Sequence, residues 1–290
     1  MAIPKLASYP MPTVASFPAN KVNWALDPSR AVLLIHDMQE YFLDFYGEDS
    51  PLVAQLVANV VALRAWCHAQ GIPVVYTAQP SEQSPQDRAL LNDMWGPGLT
   101  TASRQVQQVV APLRPLPQDT VLVKWRYSAF IRSPLEQMIK EGGRDQLIIC
   151  GVYAHIGCMV SATEAFMRDI KPFFVGDALA DFSEEEHRMA LRYVATRSGF
   201  VTDVQSIIGQ QGQALDQAWL LAQLTPFLDA DDGEPGADDN LMDYGLDSVQ
   251  VMTLIGNWQR DGLDVSFAEL ASKPTLAGWL AVLSAKRQAA

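Results

Sequence analysis

Four polar side chains stand where apolar runs end. Asp37 follows AVLLIH (31–36), Gln79 follows IPVVYTA (72–78), Lys124 closes the run in TVLVKW (120–125), and Tyr153 lies just beyond QLIICG (146–151). A polar residue after a strand is ordinary. A set that includes an acid and a lysine points to a site where a carboxyl group moves protons beside a cation. A fifth candidate stands apart: Ser248, within Tyr244-Gly245-Leu246-Asp247-Ser248-Val249. Gly245 permits a turn, and Asp247 and Ser248 sit where a new helix begins. A hydroxyl there lies beside free backbone N–H groups and a positive helix end, a setting suited to a phosphate ester. An ordinary N-cap by Asp247 or Ser248 is the other reading of the same residues.

The elements that must position these residues alternate along the chain. Short apolar runs at 31–36, 72–78, 121–123, 146–151, 172–176 and 200–201 are expected strands. Between them, 50–68, 133–141, 159–170 and 183–197 carry helical patterns, the last opened by a Ser183/Glu186 capping box. Apolar strands alternating with helices predict an α/β domain of doubly wound type, a parallel sheet covered on both faces. In such sheets ligands bind beyond the carboxyl ends of the strands, which is where the four polar residues fall. After 208 the pattern changes to helices and loops: an amphipathic segment at 214–228, an acidic loop at 229–240, then two further helical stretches, together a small all-α unit of four-helix size. The expected organisation is a proline-rich arm (1–24), an α/β domain (25–208), a short linker (209–213) and a helical domain (214–290).

Charge narrows the partners. The net charge is −12, and residues 214–290, with 12 acidic against 4 basic side chains, hold eight of those net negatives. This argues against nucleic acid or an anionic membrane surface as partner. Three cysteines without CxxC spacing predict neither a disulfide framework nor a zinc knuckle, and the four histidines show no metal-ligand spacing, so no metal is expected. No apolar run of about 18 residues is evident. The N-terminus has four prolines and no basic cluster before an apolar core, so a cytoplasmic protein is the expectation.

The acidic helical unit, its long first loop and KPTLAGW (273–279) resemble the peptidyl and aryl carrier domains of non-ribosomal peptide synthesis, with GLDS matching their G-x-D-S motif. The resemblance covers 214–286. It implies that Ser248 is esterified with 4′-phosphopantetheine, whose thiol carries an acyl or aryl group. Val249, Met252 and Ile255 follow at helical spacing, with Met252 one turn beyond Ser248. Met252, Phe267 and Ala271 are read as a patch for partner enzymes; core packing is the alternative for Met252 and Phe267.

LLIHDMQEYF (33–42), KWRYSAF (124–130) and GVYAHIGCMVSATEA (151–165) resemble the isochorismatase branch of the cysteine-hydrolase superfamily, over roughly 20–208. In the amidase branch a nucleophilic cysteine lies six residues after the first glycine of the last motif. Here that position is Gly157, and Cys158 is one residue late. The missing thiol fits a substrate whose hydrolysis needs no nucleophilic side chain, and isochorismate is one, because a vinyl ether hydrolyses by protonation at carbon and addition of water. The resemblance then implies Asp37 as the acid, in an apolar pocket with Phe42 and Trp95. Gln79, Arg88, Lys124 and Tyr153 would hold the substrate carboxylates, and Gly157 would let backbone N–H groups approach the pyruvyl end. Arg88 also reads as a solvated arginine in SEQSPQDR, and Trp95 as a packed loop aromatic. His36 is expected to point away from the site, and His155 to be structural.

Together the two resemblances imply a bifunctional enzyme of catechol siderophore synthesis. One half releases pyruvate and 2,3-dihydro-2,3-dihydroxybenzoate from isochorismate; the other carries 2,3-dihydroxybenzoate as a thioester. Implied partners are a phosphopantetheinyl transferase, a stand-alone 2,3-dihydroxybenzoate-adenylating enzyme, a peptide-synthetase condensation domain and a second copy in a homodimer. Two alternatives stay open: a carrier scaffold with an inactive hydrolase half, and a cysteine amidase using Cys158.

Overall fold

The computed structural model describes residues 3–80, 82–209, 217–229, 233–260 and 263–289. The chain divides into two compact units, one of Met1–Val22 with Leu26–Ile208 and one of Asn23–Ala25 with Gly209–Ala290. The expected linker at 209–213 lies outside the described residues except for Gly209.

In the first unit β1 (Ala31–His36), β2 (Val74–Ala78), β3 (Thr120–Val123), β4 (Gln146–Val152), β5 (Lys171–Ala180) and β6 (Phe200–Thr202) form one sheet in the order β3-β2-β1-β4-β5-β6. Every pairing is parallel. The chain moves outward from β1 to β3, then returns to place β4 on the other side of β1. The switch point between β1 and β4 opens a crevice at their carboxyl ends. Both central strands are buried along their whole length, as apolar strands covered on two faces must be.

Helix α1 (Pro51–Ala69) begins with Pro51 in its first turn, and the Ser50 hydroxyl accepts from Val53 N. By length and composition alone it could cross a membrane, but it is interrupted by Gln55, Asn59, Arg64 and His68, and its stripe of Leu52, Leu56, Val60, Leu63 and Trp66 is buried in this unit. Helices α2 (Leu135–Glu141), α3 (Met159–Met167) and α4 (Glu184–Tyr193) contribute Leu135, Ile139, Ala162, Ala165, Ala190 and Leu191 to one core cluster with Leu34, Leu147 and Ile149 of the sheet. Strand β5 runs four residues past its expected end, because a register shift between Ile149 and Gly151 re-pairs β4 with Leu179 and Ala180. Short helical turns at Glu40–Leu43, Pro85–Arg88, Leu91–Trp95 and Val204–Gly209 carry no long periodicity and were not expected.

The proline-rich arm wraps this unit. Leu6 N donates to the Phe45 carbonyl at 2.8 Å. The Phe17 ring lies against Gly176, where a Cβ would come within 2.5 Å of it. The Asn20 carboxamide pairs both ways with the Val201 backbone, at 2.8 and 2.7 Å, and so stands in for a neighbouring strand at the edge of the sheet. Tyr9 donates its hydroxyl hydrogen to His187 Nδ1 at 2.9 Å and accepts from Asp181 N at 2.7 Å.

In the second unit α5 (Gln217–Leu224), α6 (Ser248–Arg260), α7 (Phe267–Ala271) and α8 (Leu276–Ala289) enclose a core of Leu220, Leu224, Val251, Leu254, Trp258 and Trp279 with their neighbours. Trp279 donates its indole hydrogen to the Leu270 carbonyl at 3.0 Å and meets Trp258 edge to face. Ile255 belongs to this core, so it does not share a face with Met252 as its spacing suggested.

His187 gives a test of this packing. Its Nε2 lies 3.0 Å from the Gly176 carbonyl, and burial pushes its pKa down to about 4. An unfolded histidine takes up a proton near pH 6.5, whereas the folded one resists until about pH 4. Its contribution is therefore complete above pH 6.5 and is lost as pH falls toward 4. Urea unfolding at pH 7 and pH 4.5 should show a smaller acid loss for His187→Gln than for wild type, by up to about 3 kcal/mol.

Candidate functional site

Strand β1 ends at His36, and the next residue, Asp37, takes a left-handed backbone with φ +49°. Aspartate tolerates this conformation better than most residues, and such a residue at a strand end marks a held side chain. Asp37 N donates to the Thr77 carbonyl at 3.2 Å, and the Thr77 hydroxyl donates to Asp37 Oδ1 at 2.8 Å. Lys124, the first residue after β3, continues the ladder through its N–H to the Ala78 carbonyl. Its Nζ donates to Asp37 Oδ2 at 2.5 Å. Both side chains are about 5% exposed, at 6% for Asp37 and 4% for Lys124, so this is a desolvated ion pair at the carboxyl edge of the sheet.

The pair lines a pocket whose empty volume, open solvent at its mouth included, is about 660 Å³. The same pocket gathers all eight residues singled out from the sequence of this unit: Asp37, Phe42, Gln79, Arg88, Trp95, Lys124, Tyr153 and Gly157. Arg88 is not a solvated arginine. It is 4% exposed, its Nε donates to the Gly96 carbonyl at 2.7 Å, and Gly98 (φ +56°) lies so close that a Cβ would fall 2.5 Å from Nη2. Among the described residues its Nη1 has no hydrogen-bond partner. Burial lowers the Arg88 pKa, against the pull of Tyr41. Trp95 is more than loop packing: it lines the pocket, donates Nε1–H to the Tyr127 hydroxyl at 2.8 Å and meets Phe182 edge to face.

Gln79 is held through its backbone by Gln39, whose carboxamide accepts from Gln79 N at 2.8 Å and donates to Gln79 O at 3.1 Å. The Tyr153 hydroxyl donates to the Phe42 carbonyl at 2.6 Å, and its ring meets the pocket as an aromatic wall against Phe182. Burial raises its pKa well above the ordinary phenol value. Gly157 lies in a wide π turn, Ala154–Cys158, after β4. His36 is a correction to the sequence expectation: its ring lines the pocket.

Cys158 is fully buried and does not line the pocket, and burial pushes its thiol pKa well above the free value, the setting of a packed rather than a reactive cysteine. His155 is held by buried Asp181, whose two carboxylate oxygens meet its backbone N–H and Nδ1 at 2.6 and 2.5 Å. Burial opposes its protonation, but the bond and charge of Asp181 prevail and raise its pKa. With Glu186 these side chains bring ligand-type atoms within 4.8 Å of one another. The Asp181 oxygens are already committed to His155 and Phe182 N, so the cluster is a clamp on the turn after β4. Sequence reasoning missed Gln39, His36 and Phe182; the last was within reach, since it follows β5 once that strand is given its full length.

In the helical unit Asp247 is the N-cap of α6. Its Oδ1 accepts from Val249 N and Gln250 N, both at 2.8 Å, and Gln250 Oε1 returns a bond to Asp247 N. Gly245 has φ +88°, and a Cβ there would fall 2.6 Å from an Asp229 carboxylate oxygen. With the cap supplied by Asp247, the exposed Ser248 hydroxyl is left without a hydrogen-bond partner among the described residues. An exposed, uncommitted hydroxyl at a helix N-terminus fits a covalently attached phosphodiester. Met252 is 55% and Phe267 40% exposed, so the core-packing alternative fails for both, and Ala271 is exposed too.

Comparison with known proteins agrees with both halves. The isochorismatase domain family matches residues 31–206, and the phosphopantetheine attachment site family matches 218–283. Enterobactin synthase component B of Escherichia coli (strain K12) is 58% identical over 284 residues, covering 98% of this chain and 99% of that protein. An isochorismatase of Bacillus subtilis (strain 168) is 47% identical over 304 residues, covering 99% and 97%. A cysteine hydrolase from Pseudomonas syringae pv. phaseolicola 1448A shares the α/β fold, with a TM-score of 0.60 at 21% identity over 66% of this chain and 96% of that one. The chain belongs to the isochorismatase family, and it carries a phosphopantetheine-attachment domain behind its hydrolase domain.

Proposed function

We propose that this isochorismatase cleaves its substrate by carbon protonation from Asp37 and that Ser248 carries the product-derived aryl group onward in siderophore synthesis. The observation behind the first half is the buried Asp37–Lys124 pair in a pocket whose position 157 has no side chain. Asp37 in its protonated form gives its hydrogen to the methylene carbon of the enolpyruvyl group. The carbon–carbon double bond supplies the electron pair, and the adjacent carbon becomes an oxocarbenium ion. Water adds to that carbon and returns a proton to the Asp37 carboxylate. The hemiketal then breaks its bond to the ring oxygen, its own hydroxyl proton passes to that oxygen, and pyruvate and the diol leave.

Lys124 and the Thr77 hydroxyl both stabilise the Asp37 carboxylate in the free site. A dianionic substrate in this apolar pocket draws the Lys124 ammonium toward itself and loosens its hold on Asp37. The uncommitted Nη1 of Arg88 supports a carboxylate grip there, because an unpaired buried cation is otherwise unfavourable. Gln79 offers its carboxamide, Phe42, Trp95 and Tyr153 exclude water, and Gly157 admits the pyruvyl end close to backbone.

The arm attached through Ser248 would supply a terminal thiol for 2,3-dihydroxybenzoate. A phosphopantetheinyl transferase, a separate adenylating enzyme and a condensation domain complete that route, with Met252, Phe267 and Ala271 as the surface they read. A cytoplasmic homodimer is the assembly this reading favours. The buried, uncharged thiol of Cys158 argues against the amidase alternative.

Pyruvate release from isochorismate should fall by at least about 100-fold in Asp37→Asn, since general acid catalysis supplies that order of rate. Cys158→Ala and iodoacetamide treatment should leave it near wild type; loss in either would revive the amidase reading. Ser248→Ala should abolish arm attachment, read by intact mass, without altering pyruvate release. Met252→Ala with Phe267→Ala should slow both arm attachment and condensation while pyruvate release persists.

A further inference from the structure

His36 takes no part in the steps above, yet the site is built around it. A Cβ on Gly151 would come within 2.1 Å of the His36 carbonyl oxygen, so the backbones of β1 and β4 approach closely at that point. A Cβ on Gly157 would lie 2.1 Å from Cε1 of the His36 ring and 2.6 Å from Nε2. The ring Nδ1 is 2.7 Å from the Val152 carbonyl, and Nε2 is 3.3 Å from the Tyr127 carbonyl. A carbonyl only accepts, so the close contact assigns a proton to Nδ1. Burial, reinforced by the charge of Lys124, holds the ring pKa down to about 4, and the imidazole is neutral near pH 7. The next residue is Asp37 in its left-handed conformation, with Oδ2 3.8 Å from His36 Nδ1.

We propose that His36 is the positioning residue of this active site: an imidazole plug that fixes the turn into Asp37 and fills the volume any side chain at 157 would need. Three segments grip it: Gly151 and Val152 of β4, Gly157 of the π turn, and Tyr127 of the loop after β3. The plug has a chemical consequence. An oxocarbenium carbon is captured by whichever nucleophile is nearest, and a thiol or hydroxyl at 157 would bond to it and trap the pyruvyl group on the protein. With the floor closed by the ring, water is the nucleophile that remains.

The inference rests on the isochorismatase reading through its assay, and a double-variant cycle separates the two. Pyruvate release is measured for wild type, Gly157→Ala, His36→Asn, His36→Asn with Gly157→Ala, and His36→Ala, each below its melting midpoint in the full-length chain. Asparagine places an amide N–H near the position of Nδ1 and leaves the space of Cε1 and Nε2 empty. Gly157→Ala alone should lower kcat by about 100-fold, because a displacement of about 1 Å at the acid has that effect. In the His36→Asn background the same alanine should change kcat by less than about threefold, since contacting residues couple strongly. His36→Ala should lower kcat by at least about tenfold with KM nearly unchanged, the sign of a misplaced acid rather than lost binding. An equal effect of Gly157→Ala in both backgrounds, or wild-type kcat in His36→Ala, overturns the proposal. Absence of turnover in wild type would instead overturn the isochorismatase reading.

Discussion

The ion pair between Asp37 and Lys124 is the constraint from which the rest of the hydrolase unit follows. Two opposite charges removed from water are favourable only when their geometry is held and their remaining bonds are satisfied. The sheet meets that demand by bringing the ends of β1, β2 and β3 together. Asp37 comes from the first, Thr77 from the second, and Lys124 continues the third. The central strands are buried on both faces, so their register is fixed and the acid cannot drift. The switch point supplies a crevice, and the aromatic residues around it keep that crevice apolar, which strengthens every charge interaction inside.

Much of this was legible in the sequence, for a simple reason. Parallel strands read as continuous apolar runs, and their carboxyl ends are where ligands bind, so the residue after each run is a candidate without further knowledge. Asp37, Gln79 and Lys124 were found that way. What could not be read were departures from regular geometry. Alternation sends His36 to the opposite side from Asp37, but the positive φ at Asp37 breaks alternation and lets both reach the pocket. Arg88 sits in a stretch polar enough to be solvated, and only the turn through Gly96 and Gly98 buries it. The hydroxyl of Tyr153 is spent on a backbone carbonyl that no sequence pattern reveals.

The helical unit shows the converse. Its proposed attachment residue, Ser248, was singled out from a motif, and the structure shows the local geometry of that motif. Asp247 takes the capping role that either residue of the pair could have filled, which frees the Ser248 hydroxyl at the positive end of α6. On the same helix, Val251, Leu254, Ile255 and Trp258 form the core stripe, while Val249 and Met252 remain outside it. An amphipathic helix with apolar residues left on its solvent face beside Ser248 is the surface that the proposed carrier role would use.

The central claim is that the first bond formed is between carbon and a proton from Asp37. Hydrolysis of isochorismate in deuterium oxide, followed at early times by NMR of the pyruvate methyl group, tests it most directly. The account predicts that each newly released methyl carries a single deuterium and that turnover is slowed by the heavier solvent. A fully protiated methyl group, with the hydrogen arriving from the substrate ring, would contradict it.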